Sequence, residues 1–154
     1  GVESSSVVSD LLGKERYNAM YPARSVFESG ATVTFSSDEW WGGDMLPTYL
    51  SPYLGMQTGH TRQYPKEWRQ TEDDGIRLPA SERLTLEQLV KGYTRHGAYQ
   101  LRLEDQLGSI EVGKTADFIV LDQDLFTMKP DEIWRLQPSL VVMEGKVMQG
   151  AYPE

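Results

Sequence analysis

At Gly108 the hydrophobic pattern of the chain changes period, and that change limits what the chain can fold into. Upstream, apolar residues recur at helical spacing, first Val7, Val8, Leu11 and Leu12, later Leu86, Leu89, Val90 and Tyr93. Downstream, β-prone runs take over in Phe118-Ile119-Val120-Leu121 and Leu140-Val141-Val142-Met143. A ribbon of three strands has little stability alone and must pack on something else. The pattern predicts an α/β portion over residues 1–107 and a β-only portion over residues 108–154.

Local signals fill in the elements. Ser4 to Ser6 can cap a first helix that Gly13 interrupts, with another turn or two over Glu15 to Met20. Pro22 suits the first turn of a short helix, Ala23 to Ser29, with Gly30 as its stop. A buried strand is predicted over Ala31 to Ser36. From Gly42 to Ser81 four prolines break up any long element, leaving loop and a helix near Tyr49 to Gly59. The mixed-charge run Lys66 to Gly75 reads as a solvated loop. Thr85-x-x-Gln88 is a capping box, and Gly97 closes or kinks the helix that follows, with a short helical turn over Ala98 to Leu103. Strands are predicted over Gly108 to Lys114, Phe118 to Leu121, Leu140 to Met143 and Val147 to Gln149, the last pair joined by a Glu144-Gly145-Lys146 hairpin.

A chain of 154 residues suffices for one domain with a sizeable core, and no apolar run is long enough to span a bilayer. With no cysteine there is no disulfide framework, thiolate metal site or cysteine nucleophile. This and the lack of a signal-peptide pattern fit a cytoplasmic setting. Fifteen Lys and Arg against 23 Asp and Glu give a formal charge of -8, which repels a phosphate backbone and argues against nucleic acid as a partner. The chain opens at Gly1 without a methionine, as a piece of something longer would.

The run Thr32-Val33-Thr34-Phe35 ends in Ser36-Ser37-Asp38, two indoles and Gly42-Gly43. Strand ends carry the chemistry in α/β enzymes, which makes Asp38 the candidate catalytic residue; the alternative is a turn or capping aspartate. Trp40 and Trp41 are candidate substrate-facing walls or rim packing. Arg62 could meet a substrate carboxylate or form a surface ion pair. Arg24 ties its helix to neighbours. His60 and His96 read as ordinary exposed histidines rather than ligands, since a metal needs convergent partners. Asp117 fixes a turn. Gly108 to Thr115 satisfies the phosphate-loop pattern, but a strand rather than a helix follows, so no helix N-terminus is there to hold an anion.

The block Gly108-Ser109-Ile110-Glu111-Val112-Gly113-Lys114-Thr115-Ala116-Asp117-Phe118-Ile119-Val120-Leu121-Asp122 resembles the C-terminal signature of the amidohydrolase superfamily, above all its YtcJ-like metal-dependent branch. Leu84-Thr85-Leu86-Glu87-Gln88-Leu89, Tyr93-Thr94 and Gly97-Ala98 are similar to that branch's final barrel helix. Tyr21-Pro22-Ala23-Arg24-Ser25, Ser29-Gly30-Ala31 and Ser36-Ser37-Asp38 follow in the same order.

The resemblance implies an α/β fold: the terminal strand-helix part of a TIM barrel, followed by β-strands of a flanking, urease-type composite β-sandwich. It implies zinc or another divalent ion in the full-length enzyme, with Asp38 beside the metal, taking a proton from bound water and passing it to the leaving amine. The substrate would be a small amide-like or N-formyl molecule. The family's His-x-His pair is missing, and the chain holds only two histidines. Against a barrel of about 250 residues, the chain reads as the last quarter to third of an enzyme, inactive and without cofactor alone. The alternatives are a non-catalytic, self-associating or binding module, possible as a homo-oligomer, and a small complete enzyme using Asp38 with His60 and His96.

Overall fold

The computed structural model describes residues 6–37, 50–69 and 75–152. Helices α1 (Ser6–Leu12) and α2 (Lys14–Asn18) meet at Gly13, whose φ of 77° a β-carbon would disfavour. Helix α3 (Ala23–Glu28) starts after Pro22 and stops at Ser29 before Gly30. Ser51 caps α4 (Pro52–Thr61) by accepting the Tyr53 N–H at 3.3 Å, with Pro52 where its missing N–H costs nothing.

Helix α5 (Leu86–Tyr93) carries the predicted capping box: Thr85 Oγ1 accepts the Gln88 N–H, and Gln88 Oε1 accepts the Thr85 N–H. The break that follows is at Thr94, with φ −125° and ψ −92°, not at Gly97. Gly97 lies inside α6 (Arg95–Gln100). Thr94 turns its hydroxyl back onto the Val90 carbonyl at 2.6 Å, a local bond that competes with helix continuation.

The predicted strand over Ala31 to Ser36 is not formed: residues 31–37 have no ladder partner among the described residues. β-Prone side chains favour extension, but a strand exists only where a neighbour offers its backbone. Residues 108–114 are likewise turns. Gly113 adopts a φ of 94°, and Lys114 Nζ donates to the Glu104 carbonyl and Ser109 Oγ, tying the loop into a knot rather than a strand.

The three remaining strands, β1 (Phe118–Leu121), β2 (Pro138–Met143) and β3 (Lys146–Gly150), form an antiparallel sheet in that order. Register pairs Phe118 with Val142, Val120 with Leu140, and Met143 with Lys146. The two-residue turn has φ 50° at Glu144 and 74° at Gly145, the conformation that matches strand twist. Asp117 Oδ1 accepts the Glu144 N–H at 2.7 Å, the turn-fixing role read for it.

Between β1 and β2 lies a 3-10 helix, Pro130–Arg135, which the β-only reading of this portion did not anticipate. It packs against α4. Tyr53, Met56, Leu84, Leu89, Leu125, Ile133 and Leu136 form one buried cluster, so the core draws on both sides of Gly108. Helices α4 and α5 approach closely because α4 presents glycines to α5: a β-carbon on Gly59 would lie 2.7 Å from Leu89 Cδ2.

Candidate functional site

Of the residues read from sequence as functional, Asp38, Trp40 and Trp41 lie outside the described residues, and with Asp38 the single assigned metal contact. The approach to them, residues 31–37, is described. Its carbonyl at Val33 lies 3.0 Å from His96 Nδ1, and Thr34 Oγ1 donates to Gln100 Oε1 at 2.7 Å. Phe35 sits among Phe27 and Tyr93, with centroid distances of 6.0 and 5.5 Å. A β-carbon on Gly92 would lie 2.5 Å from the Phe35 ring, so this glycine lets the segment rest on α5. Helices α5 and α6 and the aromatic ring of α3 thus hold the segment from one side.

Arg62 is not in a surface ion pair. It is buried, and its guanidinium donates to backbone carbonyls: Nε to Arg77 at 2.7 Å, Nη1 to Tyr21 at 3.1 Å, Nη2 to Leu78 at 3.1 Å and to Met20 at 3.4 Å. Burial lowers its pKa, the neighbouring Arg77 lowers it further, and Glu82 opposes both. The donors that a substrate carboxylate would seek are turned to the protein's own chain.

Glu82 is the residue sequence reasoning missed. It is a buried carboxylate whose Oε2 accepts the Ser25 N–H at 2.9 Å and whose Oε1 accepts the Ser25 hydroxyl. Burial pushes its carboxyl up, but the bonds from Ser25 and Arg24 and the charge of Arg62 outweigh this, holding it below the ordinary value. One signal was present in the sequence. Helix α3 opens on Pro22 with no Ser, Thr, Asp or Asn to cap it, so an outside acceptor was needed.

The histidines do not converge. His60 Nδ1 meets the Leu84 carbonyl at 2.8 Å, and His96 Nδ1 is engaged by Val33. Among the described residues, no group of three or more His, Cys, Asp or Glu side chains could hold a metal ion. Arg24 pairs with Glu28 on its own helix at 2.6 Å rather than with a neighbouring element. An open groove runs past His60, Lys66, Arg83, Phe126 and Lys129, and much of its rim charge is already paired, as in Arg135 with Glu67 and Lys129 with Glu132.

Comparison with known proteins bears on what this arrangement serves. The amidohydrolase family profile matches residues 3–149. An imidazolonepropionase of Bdellovibrio bacteriovorus is 41% identical over 120 residues, 78% of this chain and 22% of its own. The putative amidohydrolase YtcJ of Bacillus subtilis is 28% identical over 141 residues, 92% of this chain and 25% of its own. An N-substituted formamide deformylase of Arthrobacter pascens is 29% identical over 126 residues, 82% of this chain and 21% of its own. The chain therefore spans about a quarter of the length of these relatives or slightly less. No solved structure matches it.

Proposed function

The chain belongs to the amidohydrolase family, and from that premise we propose that it is the C-terminal portion of a metal-dependent hydrolase of non-peptide C–N bonds, amide-like or N-formyl. The observation that carries the proposal is the family match across residues 3–149, joined to relatives about four times as long. The name of one relative, N-substituted formamide deformylase, supports the N-formyl class. In this reading residues 1–107 close the barrel and residues 108–154 contribute strands to the composite sandwich. Asp38 is the catalytic carboxylate, and Trp40 and Trp41 line the substrate.

The residues of this chain do not fit a complete metal site. Cysteine is absent, no His-x-His occurs, and each histidine has one ring nitrogen committed to a carbonyl. The remaining ligands for zinc or another divalent ion would come from earlier strands of a longer protein, and the chain alone is proposed to be inactive.

The test is hydrolysis of an N-formyl amine or a cyclic amide by the protein extended upstream of Gly1. Asp38→Asn should lower kcat by about 10²- to 10⁴-fold, the usual contribution of a positioned acid-base group. Equal rates for the two proteins would remove Asp38 from the chemistry. A second reading, a self-associating module without catalysis, is favoured by the fully exposed strand β3 and by Ile119, Met143 and Met148 on the open sheet. A discrete oligomer of the chain in light scattering would support it.

A further inference from the structure

Helices α2 and α3 contain no buried residue, yet they lie against the body of the molecule. Ala23 and Phe27 of α3 pack against the core, and polar fastenings add to that hold. Two are present, and they grip the chain at neighbouring points.

The first is Glu82. Its carboxylate takes the Ser25 N–H and hydroxyl, in the uncapped first turn of α3, from 57 residues away along the chain. A carboxylate there satisfies orphan donors and meets the positive end of the helix. The second is Arg62, which holds the Met20 and Tyr21 carbonyls with one part of its fork and the Arg77 and Leu78 carbonyls with the rest. Arg77 extends the fastening, stacking 3.7 Å over the Tyr17 ring and donating to the Tyr17 carbonyl at 2.5 Å.

Backbone strain marks the same place. Tyr21 and Arg62 both adopt left-handed conformations, with φ 60° and 58°. Neither is glycine, so each persists only where its surroundings over-determine it. The Arg62 Nη1 to Tyr21 carbonyl bond links the two strained residues directly.

We propose that Arg62 and Glu82 are positioning residues: together they dock residues 17–28 onto the α4–α5 body and thereby set where segment 31–37, the approach to Asp38, rests. The proposal depends on the reading of Asp38 given above for its functional meaning. Its structural content stands apart. The clamp acts on the segment through α3, whose Phe27 meets Phe35, and His96, Gln100 and Tyr93 hold it directly.

Hydrogen exchange on the purified chain tests the docking. Glu82→Gln keeps the shape and weakens a charge-assisted acceptor, so amides in residues 23–37 should exchange about tenfold faster or more, while those in Pro52–Thr61 and Leu86–Tyr93 keep their rates. Glu82→Asp should recover part of the protection. If Glu82→Gln fails to fold, Ser25→Ala, which removes one donor only, should show the same local pattern in weaker form. A uniform rise across the chain, or no change, overturns the clamp. In the longer, active protein Glu82→Gln should lower kcat with KM nearly constant; a rise in KM alone would argue against positioning. Loss of the Asp38 effect would sink the catalytic reading and leave the exchange pattern intact, so the two failures are told apart.

Discussion

Leu89 is 1% exposed and touches the α4 surface at Gly59, so Leu89→Ala leaves a cavity between the two helices. The loss should be about 2–5 kcal/mol, read from the urea midpoint at unchanged slope. Its role was legible, since Leu86, Leu89, Val90 and Tyr93 trace one helical face. Glu82 was not, because its partners lie in a helix that no spacing rule connects to it. Its titration has a definite sign. The hydrogen bonds favour the ionised carboxylate and depress its pKa in the folded state, so this stabilisation is complete above the ordinary value of 4.5 and is lost as pH falls through the lower folded value. The difference in Tm between wild type and Glu82→Gln should shrink below pH 4.5 and be constant above about pH 6. A difference that did not change with pH would mean that Glu82 acts by shape alone.

Elements set by their own residues were read correctly. The capping box at Thr85 and the Glu144-Gly145 turn need only neighbours a few residues away. Thr85→Ala should cost about 0.5–2 kcal/mol, measured by thermal denaturation. One element that needs a distant partner was misread. Residues 31–36 carry strand-forming side chains but pair with no strand among the described residues, and what they rest on is aromatic and polar side chains of three helices. Gly92→Ala would drive a β-carbon into Phe35 and toward the Val33 carbonyl, 2.5 and 3.3 Å away. Overpacking of this kind costs about 1–3 kcal/mol, and the near-UV circular dichroism of the aromatic cluster should change with it. The 3-10 helix at Pro130–Arg135 escaped notice because it is too short to show a period, although Ile133 and Leu136 are completely buried.

Across the molecule, the strands among the described residues all lie beyond Gly108, starting at Phe118, whereas the core joins Tyr53, Met56 and Leu89 to Leu125, Ile133 and Leu136. Strands β1 and β2 are apolar on both faces, as strands covered on two sides are, yet Ile119, Val120 and Met143 are exposed. No helix among the described residues is long and apolar enough to cross a membrane. The catalytic proposal rests on Asp38, which no local rule separates from a turn aspartate and which lies outside the described residues. If the chain is one part of a metal-dependent hydrolase, its own side chains should not complete a metal site. Metal analysis of the purified 154-residue chain, equilibrated with zinc and then dialysed, tests this directly. Far less than one zinc per chain is expected; one tightly bound zinc per chain would mean that the chain completes a metal site by itself.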